Sequence, residues 1–272
     1  MRNRKAINLI ARNGKAMFGE LEDLRMYGIT YAAKAVILAE YGKQVWSDVL
    51  DYAIAHPQIV EFINQDPHLA ASISTNSNKE RWLVTDGDAA INIDYVPTHN
   101  SHIRSKYKLL AYGDLAQVGT PFGAGAAWRN NNFECLLPVN NKTTCYFAYG
   151  NTPYQFTCDV PIDTPLFIEA NKNHWTWTNL QTEQVLQENV FASNITISQP
   201  NGLGIFWNNR GGAIRTNGPI LAIAFVEEAD GAFNLLPCLY NGIAGMVDAI
   251  SGTFHPNANT QGQFTIQITD KE

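Results

Sequence analysis

From residue 82 onward the chain is cut into short runs rich in Ile, Val, Phe, Tyr and Trp, separated by Pro, Gly, Asn and Thr. "NFECLLPV", "TTCYFAYG", "PLFIEAN", "HWTWTN", "GPILAIAFVEE", "AFNLLPCLY" and "QFTIQIT" are among them. The runs recur about every 8–15 residues with no long helical pattern between them, the signature of an all-β sandwich or jelly roll. In the last run Phe264, Ile266 and Ile268 alternate with Thr265, Gln267 and Thr269, as a half-buried strand requires. No tandem repeat at a fixed period is present.

Residues 1–75 read differently. "YAAKAVILAEYGKQ" is rich in helix formers and ends at Gly42, a plausible C′ position. "SDVLDYAIAH" offers Ser47 as an N-cap, and Pro57 and Pro67 each open a further short helix. Three or four short helices bury little surface by themselves, so they should rest on the remaining chain, on copies of themselves or on a partner. The division expected is a helical region at 1–75, a polar linker at 76–81 within "STNSNKE" and its neighbours, and a sandwich at 82–272.

Charge and composition exclude several classes. Net charge is −6, charged residues make up 16% of the chain, and about one residue in ten is Asn. The basic residues form no block after the first five positions, which argues against nucleic-acid binding. The apolar run near the start is interrupted by Arg12 and Lys15, which predicts neither a signal peptide nor a membrane-spanning helix. Cys135, Cys145, Cys158 and Cys238 form no C-x-x-C pair, so no zinc site is expected. Free thiols are the default, and a Cys135–Cys145 or Cys145–Cys158 bridge stays open.

The closing segment carries the most specific pattern: Leu236-Pro237-Cys238, Gly245-Met246-Val247-Asp248, Gly252-Thr253-Phe254 and Gly262-Gln263-Phe264-Thr265-Ile266. It resembles the end of a concanavalin A-like (laminin G-like) β-sandwich of the kind found in fibre and surface proteins of phages and prophages. "AAINIDYVPTHNSHI", without the glycine usual in its turn, "DTPLFIEANKNHWTWTN" and "GPILAIAFVEEADGAFNLLPC" follow in the family's order, so the resemblance spans about residues 82–270. It implies a concanavalin A-like jelly roll and a structural protein of a phage virion, such as a head fibre, tail fibre or capsid decoration. Residues 1–75 would dock on other capsid or tail proteins and the sandwich would project outward, as a dimer or trimer. The alternative is a carbohydrate-binding adhesin recognising a host surface glycan.

An enzyme is not expected. Glycan-cleaving members of the family carry Glu-x-Asp-x-x-Glu on a strand, which sets two carboxylates on one face. Here Glu134 and Glu169 stand alone on β-like runs. "HNSH" at 99–102 lies in a turn, and "GTPFGAGAAW" lacks the Lys-Ser/Thr of a phosphate loop. No cofactor or metal is predicted. A sugar site would combine an aromatic platform with amide hydrogen bonds. The candidates are Trp128 with Asn130, Asn131 and Asn132, Trp175 and Trp177 with Asn173 and Asn179, and Trp207 with Asn208, Asn209 and Arg210. Asp248, among small residues without acidic company, is expected to accept hydrogen bonds in a turn.

Overall fold

The computed structural model describes residues 28–113, 120–125, 132–139, 144–195, 197, 201–207, 209 and 218–271. The strands are β1 Lys79–Thr85, β2 Ile91–Asn92, β3 His102–Ala111, β4 Phe122–Ala124, β5 Asn132–Val139, β6 Thr144–Gly150, β7 Thr152–Thr157 and β8 Leu166–Asn171. They continue as β9 His174–Asn179, β10 Gln184–Val190, β11 Gly204–Ile205, β12 Ile220–Glu228, β13 Asn234–Tyr240, β14 Ile243–Asp248, β15 Phe254–His255 and β16 Phe264–Asp270. Two antiparallel sheets result. The larger has ten strands in the order β10-β9-β8-β3-β12-β13-β14-β15, with β1 joining β12 to β16, and the smaller has six in the order β2-β11-β4-β5-β6-β7. The fold is an all-β sandwich preceded by a small helical region, as the run spacing predicts.

The main core lies between the sheets. Leu166, Ile168, Trp175, Trp177, Ile223, Leu235 and Met246 of the large sheet meet Phe122, Phe133, Cys135, Phe147 and Tyr149 of the small one. Alternation decides which side chains go there: Leu166, Ile168 and Ala170 point inward, so Phe167, Glu169 and Asn171 point outward. The thiols are free, and Cys135, Cys145 and Cys238 are buried.

The helices form a third layer. The first spans Tyr31–Glu40, and Thr30 caps it by accepting a hydrogen bond from the Ala33 amide. Gly42 does end that helix, at φ +88°, but the next one, Gly42–Ala55, starts at the same residue. Ser47 is therefore inside a helix rather than capping one. Pro57 and Pro67 open the 3₁₀ turns Pro57–Ile59 and Pro67–Leu69, which run on into the helices Val60–Gln65 and Ala70–Ile73. Ile37, Val49, Ile59, Ile63 and Leu69 pack on Leu236, Cys238, Val247 and Ala249, the outward side of β13 and the end of β14. Burying each such aliphatic side chain contributes about 1.5–3 kcal/mol. The helical layer thus finds its partner within the chain.

The boundary expected at 76–81 shifts. Lys79, Glu80 and Arg81 belong to β1, paired from Lys79↔Asp270 to Thr85↔Phe264. The Arg81 guanidinium is 2% exposed and meets Asp66, 3% exposed, at 2.6 Å. The same Asp66 oxygen accepts the Leu239 amide at 2.6 Å, so one carboxylate joins the helices, β1 and β13.

The closing segment completes this junction. Asn241 and Gly242 take φ values of 52° and 78° and turn β13 into β14, as a two-residue hairpin of positive φ requires. Met246 faces the main core and Val247 the helices. A Cβ on Gly245 would lie 2.5 Å from the His255 carbonyl, so β15 can close over β14 only on glycine. Asp248 accepts from the amides of Asn234, Ile250 and Ser251 and from the Ser251 hydroxyl, the turn role its neighbours imply. The Gln58 amide donates to the Ala249 and Ile250 carbonyls at 2.6 and 2.7 Å and ties the hairpin to the helical layer.

Candidate functional site

Among the described residues, the sugar-platform candidates do not come together. Trp175 and Trp177 are 0% exposed and fill the core between the sheets, so neither ring can stack on a ligand. Their partners in alternation, His174, Thr176 and Thr178, carry the exposed side of β9 instead. Trp207 is 8% exposed and its indole N–H donates to Asn92 at 2.8 Å. Its ring packs on Gly204, where a Cβ would lie 2.7 Å from the indole nitrogen. It is a structural filler against the outside of the small sheet, not a presented platform. Asn209 bonds through its backbone to Gly123 and Gly125. Asn173 donates to the Phe191 carbonyl, and Asn179 accepts from the Gln181 and Thr182 amides. Trp128, Asn130, Asn131, Asn208 and Arg210 lie outside the described residues.

The surface that the fold does present is the outward face of β3, β8, β9, β10 and the adjoining part of β12. Cross-strand register arranges it in rows. One row runs Phe225–Lys106–Phe167–Thr178 from β12 to β9. The next runs Glu227–Arg104–Glu169–Thr176–Glu188 from β12 to β10, and a third runs His102–Asn171–His174–Val190. Most of these side chains are half-buried and Val190 is exposed, in contrast to the covered face over β13 and β14. Phe167 and Phe225 lie 6.4 Å apart between ring centres and flank Lys106.

The polar groups on this face are interlocked. Arg104 meets Glu227 at 2.9 Å, His102 Nε2 meets Glu169 at 2.7 Å and His174 Nε2 meets Glu188 at 2.6 Å. The carboxylates of these pairs keep further lone pairs, interspersed with the Thr176 and Thr178 hydroxyls and the Asn171 amide, whereas the Arg104 Nε is buried. Such a face can hydrogen-bond a row of hydroxyls while Phe167 offers an apolar contact. The strand run "HWTWTN" carries the signal that finds it: the Trp–Thr alternation places Trp inside and Thr, with His174, outside.

At one end the face deepens into a cleft of about 260 Å³ lined by Lys106, Lys108, Lys271, Glu80, Leu180 and Gln181, among others. Under it lies Trp82, 1% exposed, whose indole N–H donates to Thr269 at 3.1 Å. Lys106 and Lys108 place their ammonium groups 5.5 and 5.0 Å from the Trp82 ring centre, their stems covering it. Lys106 also meets Glu80 at 2.6 Å, and Lys108 meets Asp163 at 3.4 Å. Burial pushes the Lys271 ammonium below its usual range, and the like charge of Lys106 adds to this while Glu80 opposes it.

Glu134, the second lone acid, is on β5 in the small sheet, buried and accepting from Asn132 at 2.8 Å. Glu169 is on β8 in the large sheet, so these two carboxylates do not share a face. Among the described residues no cluster of three or more His, Cys, Asp or Glu is placed to hold a metal ion.

No protein-family model and no curated protein matches the chain. Among solved structures it is similar to the enzymatically active domain of tailspike protein 2 of bacteriophage CBA120, at 11% identity and a TM-score of 0.37 over 53% of this chain and 25% of that one. It is also similar to a protein of Bacteroides ovatus with a proposed carbohydrate-binding description, at 10% identity and a TM-score of 0.43 over 72% and 61% of the two chains. Domains LG4–5 of the mouse laminin α1 chain align at 9% identity and a TM-score of 0.38 over 67% and 46%. The chain spans less than two thirds of each of these proteins, and at such TM-scores the likenesses carry no argument about function.

Proposed function

We propose that this protein is a non-enzymatic, carbohydrate-binding β-sandwich that recognises a surface glycan through the outward face of its large sheet. The observation that carries this is the set of rows on β3, β8, β9 and β10, where Phe167 stands beside paired charges, hydroxyls and an amide at half-exposed positions. Neutral polyols are bound by this mixture of apolar ring contact and bidentate polar groups. The resemblance of the closing segment to phage surface proteins supports a finer reading, in which the chain is displayed on a phage particle as a fibre or decoration protein, as a dimer or trimer. The matched residues Gly245, Met246, Val247, Asp248 and Gly252 all serve the hairpin that joins sandwich and helices, which fits a shared fold.

Glycan-array binding of the full chain tests the first reading, with Phe167→Ala and Arg104→Ala as the variants. Retained fold with at least about tenfold weaker binding is expected, the loss of one ring contact or one charge-assisted hydrogen bond. Binding that both variants leave unchanged would move recognition elsewhere, and release of reducing sugar would refute the non-enzymatic reading. Mass spectrometry of purified particles tests display on the virion.

A further inference from the structure

The lysine cleft adds a chemical preference to the open face. Among the described residues around its wall, Lys79, Lys106, Lys108 and Lys271 stand against Glu80, Asp163 and Asp270, one cation in excess in a chain whose net charge is −6. Lys79 meets Asp270 at 2.5 Å, and Lys106 meets Glu80, which occupies two of the three acids at short range. Lys271 donates to two neutral acceptors, the Ser74 and Thr75 carbonyls at 3.3 and 3.1 Å. An ammonium group has three donors, so among the described residues two acceptors leave one donor for a ligand. Pro165 and Leu180 give the cleft an apolar wall, and Gln181 and Thr269 add neutral polar groups.

We infer that this cleft seats a carboxylate-bearing sugar ring, so that the glycan of the open face is an acidic one containing uronate units. The inference rests on the glycan-binding reading above and deepens it. A volume of about 260 Å³ is below the usual range for drug-sized ligands and suits one ring rather than an extended chain. A ring uses more of this lining than a bare anion, because its C–H surface can lie on the Pro165 and Leu180 wall while its carboxylate reaches Lys271. The carboxylate also adds to the counter-charge that Glu80 gives this partly desolvated ammonium. Lys106 belongs to both the cleft and the Phe225–Lys106–Phe167 row, so one ligand can occupy both.

The test is calorimetric titration of the full chain with trisaccharides of galacturonate, glucuronate and mannuronate, their neutral hexose counterparts, and inorganic phosphate. At least one uronate trimer should bind about tenfold or more tightly than its neutral counterpart, and salt should weaken that preference. Lys271→Gln should remove most of the preference, with circular dichroism run beside it to report the fold because the variant also loses the Ser74 and Thr75 contacts, and Lys271→Arg should keep it. Equal affinity for acidic and neutral trimers overturns the inference and leaves the glycan reading standing. Loss of all saccharide binding overturns both. Phosphate binding as tightly as the uronates, or a preference untouched by Lys271→Gln, also overturns it.

Discussion

The large sheet has one outward face with two fates. Over β13 and β14 that face is covered by helices, and over β3, β8, β9 and β10 it stays half-exposed. The backbone pairing is continuous across both halves, so the difference lies in the side chains. Strand β13 is apolar on both faces, with Leu235 in the main core and Leu236 and Cys238 under the helices. Strand β8 sends Leu166 and Ile168 inward but Phe167, Glu169 and Asn171 outward. A doubly apolar strand demands a cover on each side, whereas an alternating one is satisfied by water or by a polar ligand. The helices therefore dock where they do because only that half withholds its polar groups.

The strongest test of the covered half breaks its polar tie. Asp66→Ala leaves the Arg81 guanidinium buried without its counter-charge and the Leu239 amide without its acceptor. Removal of one partner of a buried pair costs about 3–5 kcal/mol, read by denaturant unfolding monitored by helical circular dichroism. A loss below about 1 kcal/mol would mean that apolar contact alone seats the layer. The next test sets the halves against each other. Leu236→Ala, under the helices, should cost about 2–5 kcal/mol. Thr176→Ala, on the open rows, should stay within about 0.5 kcal/mol. Similar costs at the two positions would show that the open half is packed against something in solution.

These contrasts also explain what the sequence conveyed. The sandwich was legible because run length and turn residues report strands directly, and the closing segment because Gly245 and Gly252 sit where a Cβ would collide with β15 or with Gln58. Strand β1 was hidden because Lys79, Glu80 and Arg81 look like solvated linker until Asp66, Lys106 and Asp270 supply partners. Those partners are distant along the chain, which no local pattern encodes. The open rows are hard to read from the sequence for a different reason. Residue type points to tryptophan as a ligand platform, whereas alternation with Thr176 and Thr178 fixes Trp175 and Trp177 in the core. Residues on five strands make the open rows, and only register brings His102, Arg104, Glu169 and Glu188 together.

The closing strand β15 should respond to acid on its core-facing side, where His255 stands opposite Met246. Burial holds the His255 ring below its ordinary value of 6.5, against the opposing pull of Asp248 and Asp94. The neutral ring is thus favoured in the folded state. Above pH 6.5 both states are neutral there and this group adds no slope. As pH falls below that value the unfolded ring binds a proton that the folded ring resists, so stability declines until the folded ring protonates too. His255→Gln should flatten that part of the stability curve measured by urea unfolding between pH 7 and 5. An unchanged slope would assign the acid response to other groups.

The smallest effect belongs to the open rows. Arg104 and Glu227 meet at 2.9 Å with side chains 36% and 24% exposed, so water screens their attraction. A double-mutant cycle on the free chain should give a coupling of about 0.2–1 kcal/mol. The same cycle run with a bound glycan should give a larger value, because a ligand lying over the row removes that water and strengthens the pair. A coupling unmoved by saturating glycan would place the ligand away from these rows. A coupling already well above 1 kcal/mol in the free chain would mean that this half of the sheet is as sheltered as the half beneath the helices, and the two faces would not differ in the way their side chains imply.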